Sequence, residues 1–274
     1  MSELFLDQAS GLRRLFGGRK PPGQVVAFTS GRAGCGRTPL VVRTAAVLAA
    51  QGERVLLIDE NGGAHNALAA FGVEPAGDLL HAVRGLRPLP DLLLDVAPRL
   101  TLLPAQRAAQ ELDTMTVGML ERLWACASEL ERQADFVLID CAGEGPLSPL
   151  ARLARHPVVI TNAESNAITR AYARIKRLVL GEGFDGIHVA VTRARSATEA
   201  QAIHLNMKRL ARDHLGIELR ALATTGDPLT ENLANDLKRN LPPGRALPVG
   251  DIVERRPAPT PSGLMAECGG ETVV

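Results

Sequence analysis

Short apolar runs alternate with stretches of helical period along most of the chain. Residues 25–29, 55–58, 100–103, 136–139, 157–160, 187–191 and 219–223 are blocks of four or five mostly apolar residues. That is the length and uniformity of strands covered on both faces. Between or after them, 40–50, 114–133, 168–180, 197–214 and 229–239 read as helices. In 114–133 the apolar side is Met115, Met119, Leu120, Leu123, Ala127 and Leu130, three to four residues apart. Repeated strand–helix alternation predicts an α/β fold, a mostly parallel sheet with helices on both faces. Ligands of such sheets bind at the carboxyl ends of the strands.

The ends of the chain break this pattern. Residues 1–16 space Leu4, Phe5, Gln8, Leu12, Leu15 and Phe16 as a short helical arm, and 17–23 (GGRKPPG) read as a linker. The main domain is expected over 24–250, with 251–274 as a flexible tail. Three prolines in 254–262 and the lack of basic residues in 263–274 make that tail a poor interfacial helix, so weak or no autonomous membrane binding is expected. The N-terminus lacks a signal-peptide apolar core and no run suits a membrane span, which places the default location in the cytoplasm.

Composition narrows the function. A chain of 274 residues, 46% hydrophobic, suits one large domain with tails. Its 31 basic and 30 acidic residues argue against a broad basic footprint, so no strong nucleic-acid binding is expected. Cys35, Cys126, Cys141 and Cys268 form no pair spaced for zinc, and the six histidines show no metal-ligand spacing. Of the basic residues, 27 are Arg and four are Lys.

The first predicted strand runs into Ser30-Gly31-Arg32-Ala33-Gly34-Cys35-Gly36-Arg37-Thr38. Gly31, Gly36 and Thr38 fit the phosphate-loop frame G-x-x-x-x-G-K-[ST], with Arg37 where the Lys belongs. Glycines let backbone N–H groups turn in around a phosphate, and the helix N-terminus adds its dipole. A tight strand-to-helix turn would also need glycines for shape alone. Asp59 and Asp140 each end an apolar run, the way a magnesium-organising Asp is presented in phosphate-loop proteins. An Asp in such a place can also cap the next helix.

These stretches resemble the MinD/ParA family of P-loop ATPases. The loop is similar to that family's deviant motif KGGxGKT, with the signature Lys at Arg32, the first glycine at Ala33 and the Walker Lys at Arg37. Asp59-Glu60-Asn61 looks like switch I, and Asp140-Cys141-Ala142-Gly143 like switch II. Residues 161–176 are similar to the family's TTPEPTSITDAYALIK segment. Asp7-Gln8-Ala9-Ser10-Gly11-Leu12-Arg13 is similar to the DQAxxLR arm of the FlhG/FleN type, regulators of flagellar number and placement.

The resemblance implies ATP or ADP on Gly31, Arg32, Ala33, Gly34, Cys35, Gly36, Arg37 and Thr38, with Thr192 where the family often has an adenine-reading Asn. It implies Mg²⁺ at Thr38, Asp59 and Asp140. Catalytic roles fall on Asn61, at the water-positioning acid, and on Arg32, which would cross a nucleotide-bound homodimer. Asp7, Gln8, Ala9, Leu12 and Arg13 would engage FlhF, a signal-recognition-particle-type GTPase. A flagellar basal-body component is a further implied partner, with recruitment to the cell pole or inner membrane face.

The departures fall at chemical positions. Arg is bulkier and planar where Lys is a compact point charge, so the two are not interchangeable at a phosphate. Asn61 can orient water but cannot take its proton. Weakened nucleotide binding and slow or lost hydrolysis are therefore expected. The alternatives are an active ATPase serving plasmid or chromosome partitioning or cellulose-synthase placement, and a scaffold without nucleotide.

Overall fold

The computed structural model describes residues 23–111, 114–154, 157–222 and 229–240. The arm 1–16 with Asp7, Gln8, Ala9, Leu12 and Arg13, nearly all of the linker and the tail 251–274 lie outside the described residues.

Among the described residues eight strands form: β1 (Gln24–Ser30), β2 (Val55–Asp59), β3 (Leu94–Ala97), β4 (Leu100–Pro104), β5 (Phe136–Asp140), β6 (Val158–Asn162), β7 (Gly186–Thr192) and β8 (Glu218–Ala221). They make one sheet in the order β3-β4-β2-β5-β1-β6-β7-β8. Every neighbouring pair is parallel except β3 with β4. The helices are α1 (Arg37–Ala50), α2 (Ala67–Phe71), α3 (Leu79–Val83), α4 (Gln106–Gln110), α5 (Val117–Gln133), α6 (Ser165–Glu182), α7 (Ala197–Leu215) and α8 (Leu229–Asn240). The expected parallel sheet with helices on both faces is what forms.

Side-chain alternation along the strands divides the core in two. Val26 and Phe28 of β1, Leu57 of β2 and Leu138 of β5 join one cluster with Leu40, Val41, Ala45 and Leu48 of α1 and Leu233 and Leu237 of α8. Ala27, Leu56, Ile58, Val137 and Ile139 point the other way. There they meet Leu79 and Val83 of α3, Leu123, Ala127 and Leu130 of α5, Ile175 and Leu178 of α6, and Met207 of α7. Burial of each such Leu, Ile or Phe stabilises the fold by roughly 1.5–3 kcal/mol before entropy is counted. Trp124 and Tyr172 pack against this second cluster, as their helical positions suggest.

Several features depart from the pattern reading. Strand β3 was not expected: its four residues alternate half-buried and exposed at a sheet edge, too short to stand out. A tight turn at Arg99, with φ 63, folds it antiparallel onto β4. Helices α2 and α3 are one turn long and held by caps: Asn66 accepts from the Ala69 N–H at 2.8 Å, and Asp78 from that of Leu80 at 2.9 Å. Helix α1 starts at Arg37 rather than 40, because Gly36 in left-handed backbone opens it directly from the loop. Helix α5 starts at Val117 rather than 114, with Thr116 as its cap. Among the described residues no helix is long and apolar enough to cross a membrane.

Candidate functional site

The strand order places β2, β5 and β1 side by side, which brings Asp59, Asp140 and the loop 31–38 to one end of the sheet. Asp59 and Asp140 are register partners, and Asp140 also pairs with Phe28. Convergence of the strand ends depends on strand adjacency, which sequence alone does not supply.

The loop is shaped by backbone freedom at two points. Gly34 and Gly36 have φ 79 and 81, left-handed values that cost a side chain. Gly31 is required for a different reason, since a Cβ there would lie 2.2 Å from the Arg170 carbonyl of α6. The Ser30 hydroxyl donates to the Arg32 carbonyl at 2.9 Å. Cys35 is buried within the turn, and burial pushes its thiol above the usual range. That environment suits packing rather than a reactive thiolate.

Arg37 and Thr38 occupy the first turn of α1 and both reach Asp140. Arg37 Nε donates to Asp140 Oδ1 at 2.5 Å, and the Thr38 hydroxyl donates to Oδ2 at 2.5 Å. Arg37 Nη1 lies 3.4 Å from Ser30 Oγ. The Asn61 amide donates to Thr38 Oγ1 at 3.0 Å, while its oxygen accepts from the Gly63 N–H at 3.0 Å. The result is a closed chain: Asn61 to Thr38 to Asp140, and Arg37 to Asp140. Asp140 is fully buried, so its charge depends on these partners.

Asp59 works as a cap. Its Oδ2 accepts from the N–H groups of Ala67 and Leu68 at 2.8 and 3.1 Å, and Oδ1 from that of Asn61 at 3.1 Å. Burial, and then the neighbouring Asp140, push its carboxyl up to about 6. Glu60, missed in the sequence reading, turns the opposite way. It accepts from the Ser148 hydroxyl and from the Ala142 N–H at 3.3 Å, joining the end of β2 to the segment after β5. Burial raises its carboxyl to about 7.

Arg32 turns to its own chain: Nη1 donates to Glu164 Oε2 at 3.0 Å, just before α6. Ala33 is exposed at the loop tip. Thr192 is buried, with its hydroxyl 2.6 Å from the Cys35 carbonyl and 3.1 Å from that of Thr161. It ties the end of β7 to the loop, so its hydroxyl already has partners where a base-reading group was expected.

Arg174 was also missed. It is fully buried under the site, donating from Nε to Thr29 Oγ1 at 2.9 Å and from Nη1 to the Gly145 carbonyl at 2.5 Å. Among the described residues its Nη2 has no hydrogen-bond partner. The signal was available: Ala167, Ala171, Arg174, Ile175 and Leu178 share one helical face, so the period puts Arg174 inside.

The donor set does not fit a divalent cation as arranged. A magnesium ion needs oxygen lone pairs in octahedral array. Both oxygens of Asp140 and both of Asp59 already accept hydrogen bonds, Thr38 Oγ1 accepts from Asn61, and a guanidinium stands against Asp140. Among the described residues no group of three or more His, Cys, Asp or Glu is gathered to hold a metal.

Comparison with known proteins places this geometry in a family. The model described as "Cellulose biosynthesis protein BcsQ" matches residues 24–184, more than half of the chain. The chain is 28% identical to the antiactivator FleN of Pseudomonas aeruginosa over 206 residues, covering 74% of this chain and 73% of that protein. It is 26% identical to the flagellum site-determining protein YlxH of Helicobacter pylori, over 72% of this chain and 67% of that protein. In fold it is similar to the MinD cell division protein of Aquifex aeolicus, with a TM-score of 0.59 at 21% identity, covering 81% of this chain and 100% of that one. A cobyrinic acid a,c-diamide synthase from Mycobacterium smegmatis, solved with an ATP analogue and magnesium, has a TM-score of 0.59 at 20% identity, over 79% of this chain and 95% of that one. The sheet, the loop and the match over 24–184 together show that the chain belongs to the BcsQ family of MinD/ParA-type P-loop proteins.

Proposed function

We propose that the chain is a MinD-like, nucleotide-responsive regulator of flagellar number and placement. The observation that supports it most is the meeting of the 31–38 loop with Asp59 and Asp140, in a chain similar to FleN and YlxH. ATP or ADP would lie on the loop, contacting Gly31 to Thr38, with Thr192 behind it. Binding is weaker than at a lysine-bearing loop, because the guanidinium of Arg37 is bulkier and planar where an ammonium is a compact charge. Hydrolysis is slow or absent, because Asn61 offers no carboxylate. The arm 1–16 engages an FlhF-type GTPase through Asp7, Gln8, Ala9, Leu12 and Arg13, a reading supported by the DQAxxLR match alone. A nucleotide-bound homodimer and a basal-body partner complete the proposal, with recruitment from the cytoplasm to the pole or inner membrane face. Deleting 1–16 tests the arm: loss of stimulated GTP hydrolysis by the FlhF-type partner supports it, and unchanged stimulation removes it.

The family description favours a second reading, placement of cellulose synthase. Chromosomal deletion separates the two. Altered flagellar number with normal cellulose supports the flagellar role, and the reverse result supports the other.

A further inference from the structure

We propose that Arg37 is a built-in cation: it takes the place of a divalent ion at Asp140, so that this loop binds a polyphosphate anion without magnesium. The inference rests on the nucleotide-site reading above and names the counter-charge that the site uses. A magnesium ion at a phosphate loop neutralises acidic strand ends and bridges them to phosphate oxygens. Arg37 is placed to do both. Its Nε is 2.5 Å from Asp140 Oδ1, inside a carboxylate that is otherwise buried and unneutralised. Guanidinium carries five N–H donors in a planar fork. Among the described residues Nε serves Asp140 and Nη1 makes a 3.4 Å contact with Ser30 Oγ, which leaves the fork further donors for phosphate oxygens.

The other acids near the site are answered without an ion. Glu164 is paired with Arg32. Asp59 accepts three backbone N–H groups. Thr38, the hydroxyl that would ligate an ion, is donor to Asp140 and acceptor from Asn61. A divalent ion would have to displace Arg37 from Asp140 and Asn61 from Thr38, and would then sit beside a displaced positive charge. A lysine ammonium at this position is a point charge without the fork. Substituting Lys for Arg37 should therefore restore dependence on the ion.

The test is calorimetric titration of the full chain with ATP, and separately with inorganic tripolyphosphate, in magnesium and in EDTA. The wild-type Kd for either anion is expected to differ by less than about twofold between the two conditions. Arg37→Lys should bind about tenfold tighter in magnesium than in EDTA, and Arg37→Gln should lose metal-free binding, with circular dichroism confirming that both variants fold. Magnesium tightening the wild type about tenfold overturns the proposal. So does failure of the wild type to bind either anion, which makes the Arg37–Asp140 pair a plug. Metal-free binding of tripolyphosphate but not ATP keeps the built-in cation and removes the nucleotide reading instead.

Discussion

Arg37 on the first turn of α1 and Asp140 at the end of β5 are joined by an ion pair of 2.5 Å, with the carboxylate wholly out of solvent. Removing one partner of a buried pair strands the other charge. Arg37→Ala is expected to lower unfolding stability by about 3–5 kcal/mol, and Arg37→Lys by clearly less. Urea titration followed by circular dichroism measures both. Equal stability of Arg37→Ala and wild type would mean that the pair does not hold the loop.

Glu60 sets a pH dependence. Its carboxyl is raised from 4.5 to about 7, so the folded protein holds this proton more tightly than the unfolded chain does. The stabilisation is fully present below the unfolded value near 4.5 and is lost as pH rises through about 7. Between pH 5 and 8 the chain should lose on the order of 2–3 kcal/mol from this group. Glu60→Gln keeps a neutral side chain of the same shape and should flatten the profile. A wild-type stability curve that rises across that range would contradict the assignment.

Gly31 has no room for a side chain. Gly31→Ala drives a Cβ into the Arg170 carbonyl and the Ala171 nitrogen of α6, and backbone atoms cannot swing aside. The cost is expected to be about 3 kcal/mol or more, beyond usual overpacking. Gly34→Ala meets no atom but must hold φ 79, so a smaller loss of roughly 1 kcal/mol is expected. Thermal melts of the two variants give the order, and a reversed order would refute the close approach.

Asp59 caps α2 with Oδ2 while Oδ1 holds Asn61. Asp59→Ala should cost about 1–2 kcal/mol. Amide hydrogen exchange should speed up at Ala67, Leu68 and Asn61, the groups that lose an acceptor. Protection confined to its wild-type level there would assign Asp59 elsewhere.

Much of this was legible in the chain. Uniform apolar runs announce buried strands, and seven of the eight were expected; the edge strand β3 escaped because exposure on one side interrupts its run. The loop, Asp59 and Asp140 could be named from spacing, but their meeting depends on β2, β5 and β1 being neighbours. Hydrogen-bond partners were out of reach for the same reason. In sequence Arg37 stands where a lysine belongs, and only the fold shows that the guanidinium has an answering carboxylate 103 residues away. Glu60 hid between two more conspicuous neighbours, and its role needs Ser148 and Ala142 folded over it.

Helix α6 touches the site at two separate points. Its backbone at Arg170 abuts Gly31, and Arg174 grips both Thr29 and Gly145. The helix therefore braces the phosphate loop and the segment after β5 together. On its outer side Thr169 and Arg170 are exposed, so a stretch of open surface is joined by one continuous helix both to the loop and to the segment after β5.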